Sequence, residues 1–389
     1  MAMAKITTTA MTAAVAALIL GTVLATGAHA ATATKGDFGT LKDGSKVTSV
    51  TLKNAHGLQA RILSLGAMWQ SMMVPDRKGH ADDVILGYDT LAAYEANNFY
   101  SGDTVGRYAN RVKAGKFSID GHDYQLAQNN NGNSLHGGPT GFWSKNWTVE
   151  SIDAGGKNKA ASVTLKYVSA DGEEGYPGTM TVFVTYSLND NDDLTISYKA
   201  TTDKPTIVNL TNHALFNLSG VASGRGALGA SLKLEADTYL PTSDTAIPTG
   251  ELKPVKGTPF DFTKAKVIDS VVRDARDPQV LIGLGIDHNF DIRGGETKTP
   301  KLAATLVDAQ SGRGLAISST EPGIQFYTGN FLDGKTPGKG QQVMRMGDGI
   351  ALEAQHYPDS PNQPSFPSTR LDPGQTYTQV TVHHFFVSK

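Results

Sequence analysis

The chain has 389 residues, no cysteine and a formal net charge of −2. The lack of cysteine excludes disulfides and a lipid-modified cysteine, and a near-neutral balance with no Lys/Arg run argues against a nucleic-acid partner. Glycine is abundant at 42 residues and long 3.6-residue periodicity is nearly absent, which points to a β-rich chain with many turns.

Residues 1–30 read as a secretory signal peptide. Lys5 supplies a weak positive start, the apolar run 13–24 is too short to span a bilayer, and Ala28-His29-Ala30 fits the small-x-small cleavage rule. An uncleaved anchor is the alternative, which the short run disfavours. The remaining 359 residues (389 less 30) are expected to form one exported domain, 31–389, periplasmic or secreted. Once cleaved it would have no membrane contact and would stand as a monomer or homodimer.

An extended pair is predicted over 35–52 around an Asp43-Gly44 turn, then a strand region over 58–74 closed by the turn 75–79. Residues 89–97 read as a short helix with Asp89 as N-cap. In GRYANRV (106–112), Arg107 and Arg111 are either surface ion-pair formers or, with Asn110, a hydrogen-bonding cluster. A hairpin follows over 113–126, turning at Asp120-Gly121.

NNNGNSLHGGPTGFWSKNW (129–147) is too rich in Asn, Gly and Pro for regular structure, yet carries His136, Phe142, Trp143 and Trp147. It is either a loop pinned by aromatics or a functional one, its paired glycines permitting close backbone approach. Alternation over 180–188 and 194–198 predicts an antiparallel pair, and the acids of DGEEGYPG (171–178), Glu174 among them, read as solvated turn residues.

In PTIVNLTNHALFNLSG (205–220), Asn209, Thr211 and His213 fall on alternate residues, so a strand points all three to one face. Residues 255–262 look extended and 263–276 could be a helix capped by Thr263. GIDHNFDI (285–292) sets Asp287 and Asn289 opposite His288 and Phe290, and ALEAQHYPDSPN (351–362) sets Glu353 and Gln355 opposite Leu352 and Ala354. Asp287 alone reads equally as a turn-forming residue. In the C-terminal strand, His383 and His384 point to opposite faces and cannot chelate together.

Neither His-x-x-x-His, a calcium loop, Gly-x-Ser-x-Gly nor a phosphate loop occurs, so no metal or other cofactor is expected. Histidines, one or two acids and amide or guanidinium groups suit a small polyhydroxylated ligand, because sugar hydroxyls both donate and accept. They also suit opening of a hemiacetal ring, which needs a base at the anomeric hydroxyl and an acid at the ring oxygen.

GRYANRV, NSLHGGPTGFW, DGEEGYPG, NLTNHALFNLSG, GIDHNF, GIQFYTGNFL and ALEAQHYPDSPN stand in the same order as the motifs of the aldose 1-epimerase (galactose mutarotase) family, which the chain resembles over nearly all of 31–389. The resemblance implies an all-β fold, a large antiparallel β-sandwich with few short helices, whose cleft interconverts the anomers of free glucose or galactose. It assigns Glu353 as general base, His213 as general acid and His136 as an assisting group, with Asn110, Arg111, Asp287 and Gln325 as sugar-binding residues. Two features depart from the pattern: Leu215 stands where an aromatic is frequent, and the export signal is unlike the cytosolic members. Other readings are a glycoside hydrolase pairing Glu353 with Asp287, a noncatalytic sugar-binding protein, and an epimerase of phosphorylated hexoses.

Overall fold

Strict alternation dominates the first sheet. In the strand Met180–Leu188 every second side chain is buried, and it pairs antiparallel with Ala161–Ser169 on one side and Asp193–Thr202 on the other without a break in register. The structure, a computed structural model, describes residue 1 and residues 30–97, 99–157 and 159–388. The signal-peptide reading of 1–30 therefore lies almost wholly outside the described residues.

Those three strands belong to a nine-stranded sheet that runs from Thr148–Asp153 to Lys266–Val267. The C-terminal strand Tyr377–Val387 is inserted between Asp193–Thr202 and Arg313–Ser319, so the chain end closes the middle of the sheet. As the two-residue period requires, His383 is buried against Trp69 while His384 is outside, bonded to Asp193.

A five-stranded meander, Thr32–Thr40, Lys46–Lys53, Gln59–Leu63, Met68–Pro75 and Ala81–Asp83, forms a second sheet. A six-stranded sheet is ordered Leu215–Phe216, Ile350–Gln355, Gly323–Tyr327, Asp287–Ile292, Ala236–Tyr239 and Lys253–Pro254. One apolar cluster joins all three, including Leu52 and Trp69 from the meander, Val184 and Ile196 from the nine-stranded sheet, and Phe290, Phe326 and Leu352 from the six-stranded sheet. Each such side chain contributes about 1.5–3 kcal/mol on burial, so the sandwich needs no cross-links.

The structure departs from the sequence reading in several places. The helix predicted over 89–97 is Leu91–Ala96, and its cap is Thr90, whose hydroxyl accepts from the Ala93 N–H; Asp89 instead accepts from the Gly340 N–H. Residues 263–276 form a short strand, Lys266–Val267, and a single turn, Ile268–Ser270, rather than a helix. The helix lies beyond, at Pro278–Gly283, where Asp277 caps and proline occupies the first turn. Residues 255–262 are turns rather than a strand. In the loop 171–178 Glu173 is not solvated: it is partly buried, 2.8 Å from Lys145 Nζ, and accepts from the Tyr167 hydroxyl at 2.6 Å.

Candidate active site

The six-stranded sheet has one apolar face and one polar face, and both are covered. His288, Phe290, Ile324, Phe326, Leu352 and Ala354 occupy one side, while the intervening residues Asp287, Asn289, Gln325, Tyr327 and Glu353 occupy the other. Cross-strand register sets Asn289 opposite Gln325 and Gln325 opposite Glu353, with Asp287 opposite Tyr327 one step along. Sheet pairing thus gathers side chains that lie far apart in sequence.

Loops bring the remaining groups over this face. Residues 205–220 are three short pairings, Thr206–Ile207, Thr211–Asn212 and Leu215–Phe216, rather than one strand. The single strand face expected for Asn209, Thr211 and His213 is not formed, and only His213 lines the cleft, though all three side chains reach the segment 353–356. Asn209 donates to the His356 carbonyl, Thr211 donates to the Ala354 carbonyl, and His213 Nε2 lies 3.6 Å from Glu353 Oε1. Two backbone bonds fix His213, its N–H to the Asp103 carbonyl and its carbonyl to the Gly102 N–H.

His136 and Asn110 hold each other. The His136 N–H donates to the Asn110 carbonyl, and the Asn110 N–H donates to His136 Nδ1 at 3.2 Å. Since Nδ1 accepts, a neutral His136 carries its proton on Nε2, and this nitrogen is a donor. Both residues, and Tyr100 beside them, take left-handed backbone conformations, a strain that recurs at functional sites. A Cβ at Gly137 would overlap the Gly106 carbonyl oxygen, so the LHGG loop can seat His136 only with glycine there.

Arg107 and Arg111 divide the roles left open by the sequence. Arg107 is buried and donates to the carbonyls of Ser169, Ala170 and Pro177, which makes it a structural tie. Arg111 faces the cleft, with Nη1 3.9 Å from Asp287 Oδ2 and Nε bonded to Asn130. Gln325 donates to Asp287 at 2.8 Å and so stands behind that carboxylate. Asn110, Arg111, His136, His213, Asp287 and Glu353 all line one cleft of about 600 Å³, a size typical of small-molecule sites.

Burial sets the electrostatics. It pushes the His213 imidazole down to about 4 and the His136 imidazole well below its usual range. It pushes the Glu353 carboxyl well above its usual range; nearby Asp287 acts in the same direction and Arg111 opposes it. Glu353 Oε2, Asn110 Oδ1 and Gln325 Oε1 are buried without a hydrogen-bond partner among the described residues. Such groups are costly unless a ligand meets them.

A sequence profile of the aldose 1-epimerase family matches residues 48–384. The chain belongs to the aldose 1-epimerase family. It is 41% identical to the galactose mutarotase of Homo sapiens over 358 residues, 92% of this chain and all of the human protein. It is 36% identical to the aldose 1-epimerase of Escherichia coli K12 over 346 residues, 88% of this chain and 96% of that protein. The crystal structure of galactose 1-epimerase from Lactobacillus acidophilus superposes with a TM-score of 0.80 at 28% identity, covering 92% of this chain and all of that one.

For an aldose 1-epimerase, the aromatic part of the cleft was the portion that sequence reasoning missed. Tyr100 packs 4.7 Å from the His136 ring and 6.0 Å from His213, and Tyr327 lies 6.3 Å from His213. Tyr327 sits within GIQFYTGNFL, where its alternation with Gln325 was the available signal. Leu215 lines the cleft beside Ala351.

Proposed function

We propose that Glu353 and His213 are the general base and general acid by which this chain interconverts the α and β anomers of free glucose or galactose. The observation that carries the assignment is the 3.6 Å approach of His213 Nε2 to Glu353 Oε1 on the cleft floor, both side chains buried. Ring opening runs from the tautomer of the pair in which its one proton sits on His213 and Glu353 is ionised. This is the charged form, which burial disfavours relative to a neutral carboxyl beside a neutral imidazole. The O1 proton passes to Glu353, the C1–O5 bond breaks with its electron pair going to O5, and O5 takes the His213 proton as C1=O1 forms. Rotation about C1–C2 presents the other aldehyde face, and closure reverses both transfers.

The same burial that shifts the two groups favours this direction of flow. Each transfer removes one buried charge, so the opened state leaves a neutral carboxyl beside a neutral imidazole. The pair carries one proton throughout and titrates as a unit, which predicts a bell-shaped dependence of rate on pH. His136, as an Nε2–H donor, would assist at the ring or a neighbouring hydroxyl. Asn110 and Arg111 would hold further hydroxyls, with Asp287 accepting from them and Gln325 fixing Asp287.

Two other readings are not favoured. A hydrolase would need Asp287 as a second working carboxylate, and it is engaged by Gln325 and faces Arg111. A noncatalytic binding protein would not need an acid and a base side by side. We also propose that the mature domain is exported, on the character of 1–30, and so would act on sugars outside the cytoplasm; mass analysis of secreted protein starting at Ala31 would support this, and a chain retained in the cytoplasm with its first 30 residues intact would refute it. Polarimetry on freshly dissolved α-glucose or α-galactose tests the function: the protein should speed the approach to equilibrium. Folded protein with no acceleration over buffer would refute it.

A further inference from the structure

The asparagine run 129–133 has no part in the acid–base chemistry, yet the fold spends several hydrogen bonds on it. It forms a tight hairpin in which Asn130 and Asn133 exchange backbone bonds of 3.0 and 2.8 Å. At its tip Asn131 and Gly132 both take positive φ, 46° and 79°, the conformation that a two-residue Asn-Gly turn supplies.

The hairpin is anchored on both sides. Asn129 accepts from the Leu135 N–H at 2.8 Å and donates to the Leu135 carbonyl at 3.1 Å, and Leu135 pairs with Arg111 in the ribbon of Ser134–Leu135 with Arg111–Val112. Asn133 accepts from the Ala114 N–H at 2.9 Å and donates to the carbonyl of Thr245, another cleft residue, at 3.3 Å. With its backbone held in this way, the hairpin folds back over the residue it is paired to.

The remaining asparagine acts on that residue. Asn130 lines the cleft, and its Oδ1 accepts from Arg111 Nε at 3.0 Å. A guanidinium carries only donors, so the amide must turn its oxygen this way. A bond at Nε fixes the plane of the fork. Nη1 then lies 3.9 Å from Asp287 Oδ2, beyond hydrogen-bond distance, and is not spent on that carboxylate. Arginine has much rotamer freedom to lose, and holding the side chain in advance removes that loss from the binding step.

We propose that Asn130 is a positioning residue for substrate: the hairpin 129–133 holds its amide against Arg111 Nε and so aims the Nη donors at a sugar hydroxyl before the sugar arrives. The proposal rests on the reading of Arg111 as a sugar-binding residue.

Asn130→Leu removes the acceptor at similar volume. By polarimetry on freshly dissolved α-galactose it should raise KM about tenfold, the worth of one hydrogen bond to a charged group, with a smaller change in kcat. Asn130→Asp keeps an acceptor oxygen and should recover most of that loss. The readout that a merely structural role would not move is a double-mutant cycle with Arg111→Lys, in which no guanidinium remains to be aimed. There Asn130→Leu should change KM by less than about twofold. An equal rise in both backgrounds, no rise in the wild type, or an Asn130→Asp protein no better than Asn130→Leu would overturn the proposal. Calorimetric titration of galactose into Glu353→Gln protein carrying the same substitutions reads binding without turnover, which keeps the test apart from failure of the epimerase reading. A non-additive loss of affinity supports the role of Asn130 even if no sugar is turned over; additive losses, or no binding of galactose at all, refute it.

Discussion

Two buried Glu–His pairs occupy neighbouring positions of the same segment, and they differ by about an ångström. His356, immediately after the strand Ile350–Gln355, has Nδ1 2.6 Å from Glu321 Oε2, with Glu296 at 3.8 Å from its other nitrogen. Glu353, within the strand, stays 3.6 Å from His213 Nε2. At His356 burial favours the neutral ring, but the Glu321 carboxylate and its hydrogen bond outweigh it and the pKa is raised. At His213 burial prevails and the pKa falls to about 4. Contact thus fixes the proton in one pair and makes it structural; separation leaves the other pair with a proton to exchange and a buried carboxylate oxygen, Oε2, without a partner.

The largest effect should come from Glu353→Gln, which removes the base and keeps the shape. Its kcat for mutarotation should fall about 10³-fold or more, while sugar binding measured by calorimetry persists. Glu321→Gln should do the reverse. It removes the hydrogen-bonded carboxylate of buried His356, leaving only the exposed Glu296 at 3.8 Å, and should lower unfolding free energy by about 3 kcal/mol in urea titrations, with kcat per folded molecule unchanged. Arg111→Lys loses the planar fork that faces Asp287 and should raise KM about tenfold with a smaller change in kcat.

The smallest effect is a dependence on pH. Because the folded His356 pKa is raised, its stabilisation is complete below about pH 6.5 and is lost as pH rises through the folded value. The difference in stability between wild type and Glu321→Gln should therefore shrink with rising pH in that window. His213, lowered to about 4, has the opposite sign: its contribution is lost as pH falls from about 6.5 toward 4.

Much of this was legible from residue order. Alternation over 180–188 and 194–198 gave true strands because both sides of a sandwich sheet obey a two-residue period. The ordered motifs led to Asn110, Arg111, His136, His213, Asp287 and Glu353, and the fold brings all six to one cleft. The motifs also named Gln325, which stands behind Asp287 rather than at the cleft wall; that placement was not legible, because cross-strand register depends on turns and packing that residue spacing does not encode. Tyr100 escaped notice because an aromatic in a loop looks the same whether it packs or lines a cleft. The helix expected over 263–276 failed where the stronger Asp277-Pro278 start signal lay just outside the predicted window.

The comparison of the two pairs is tested most directly by polarimetry on fresh α-glucose with Glu353→Gln and Glu321→Gln side by side, each confirmed as folded. The account predicts that Glu353→Gln loses acceleration over buffer while Glu321→Gln retains the wild-type rate. Full activity in Glu353→Gln, or equal loss in both, would contradict it.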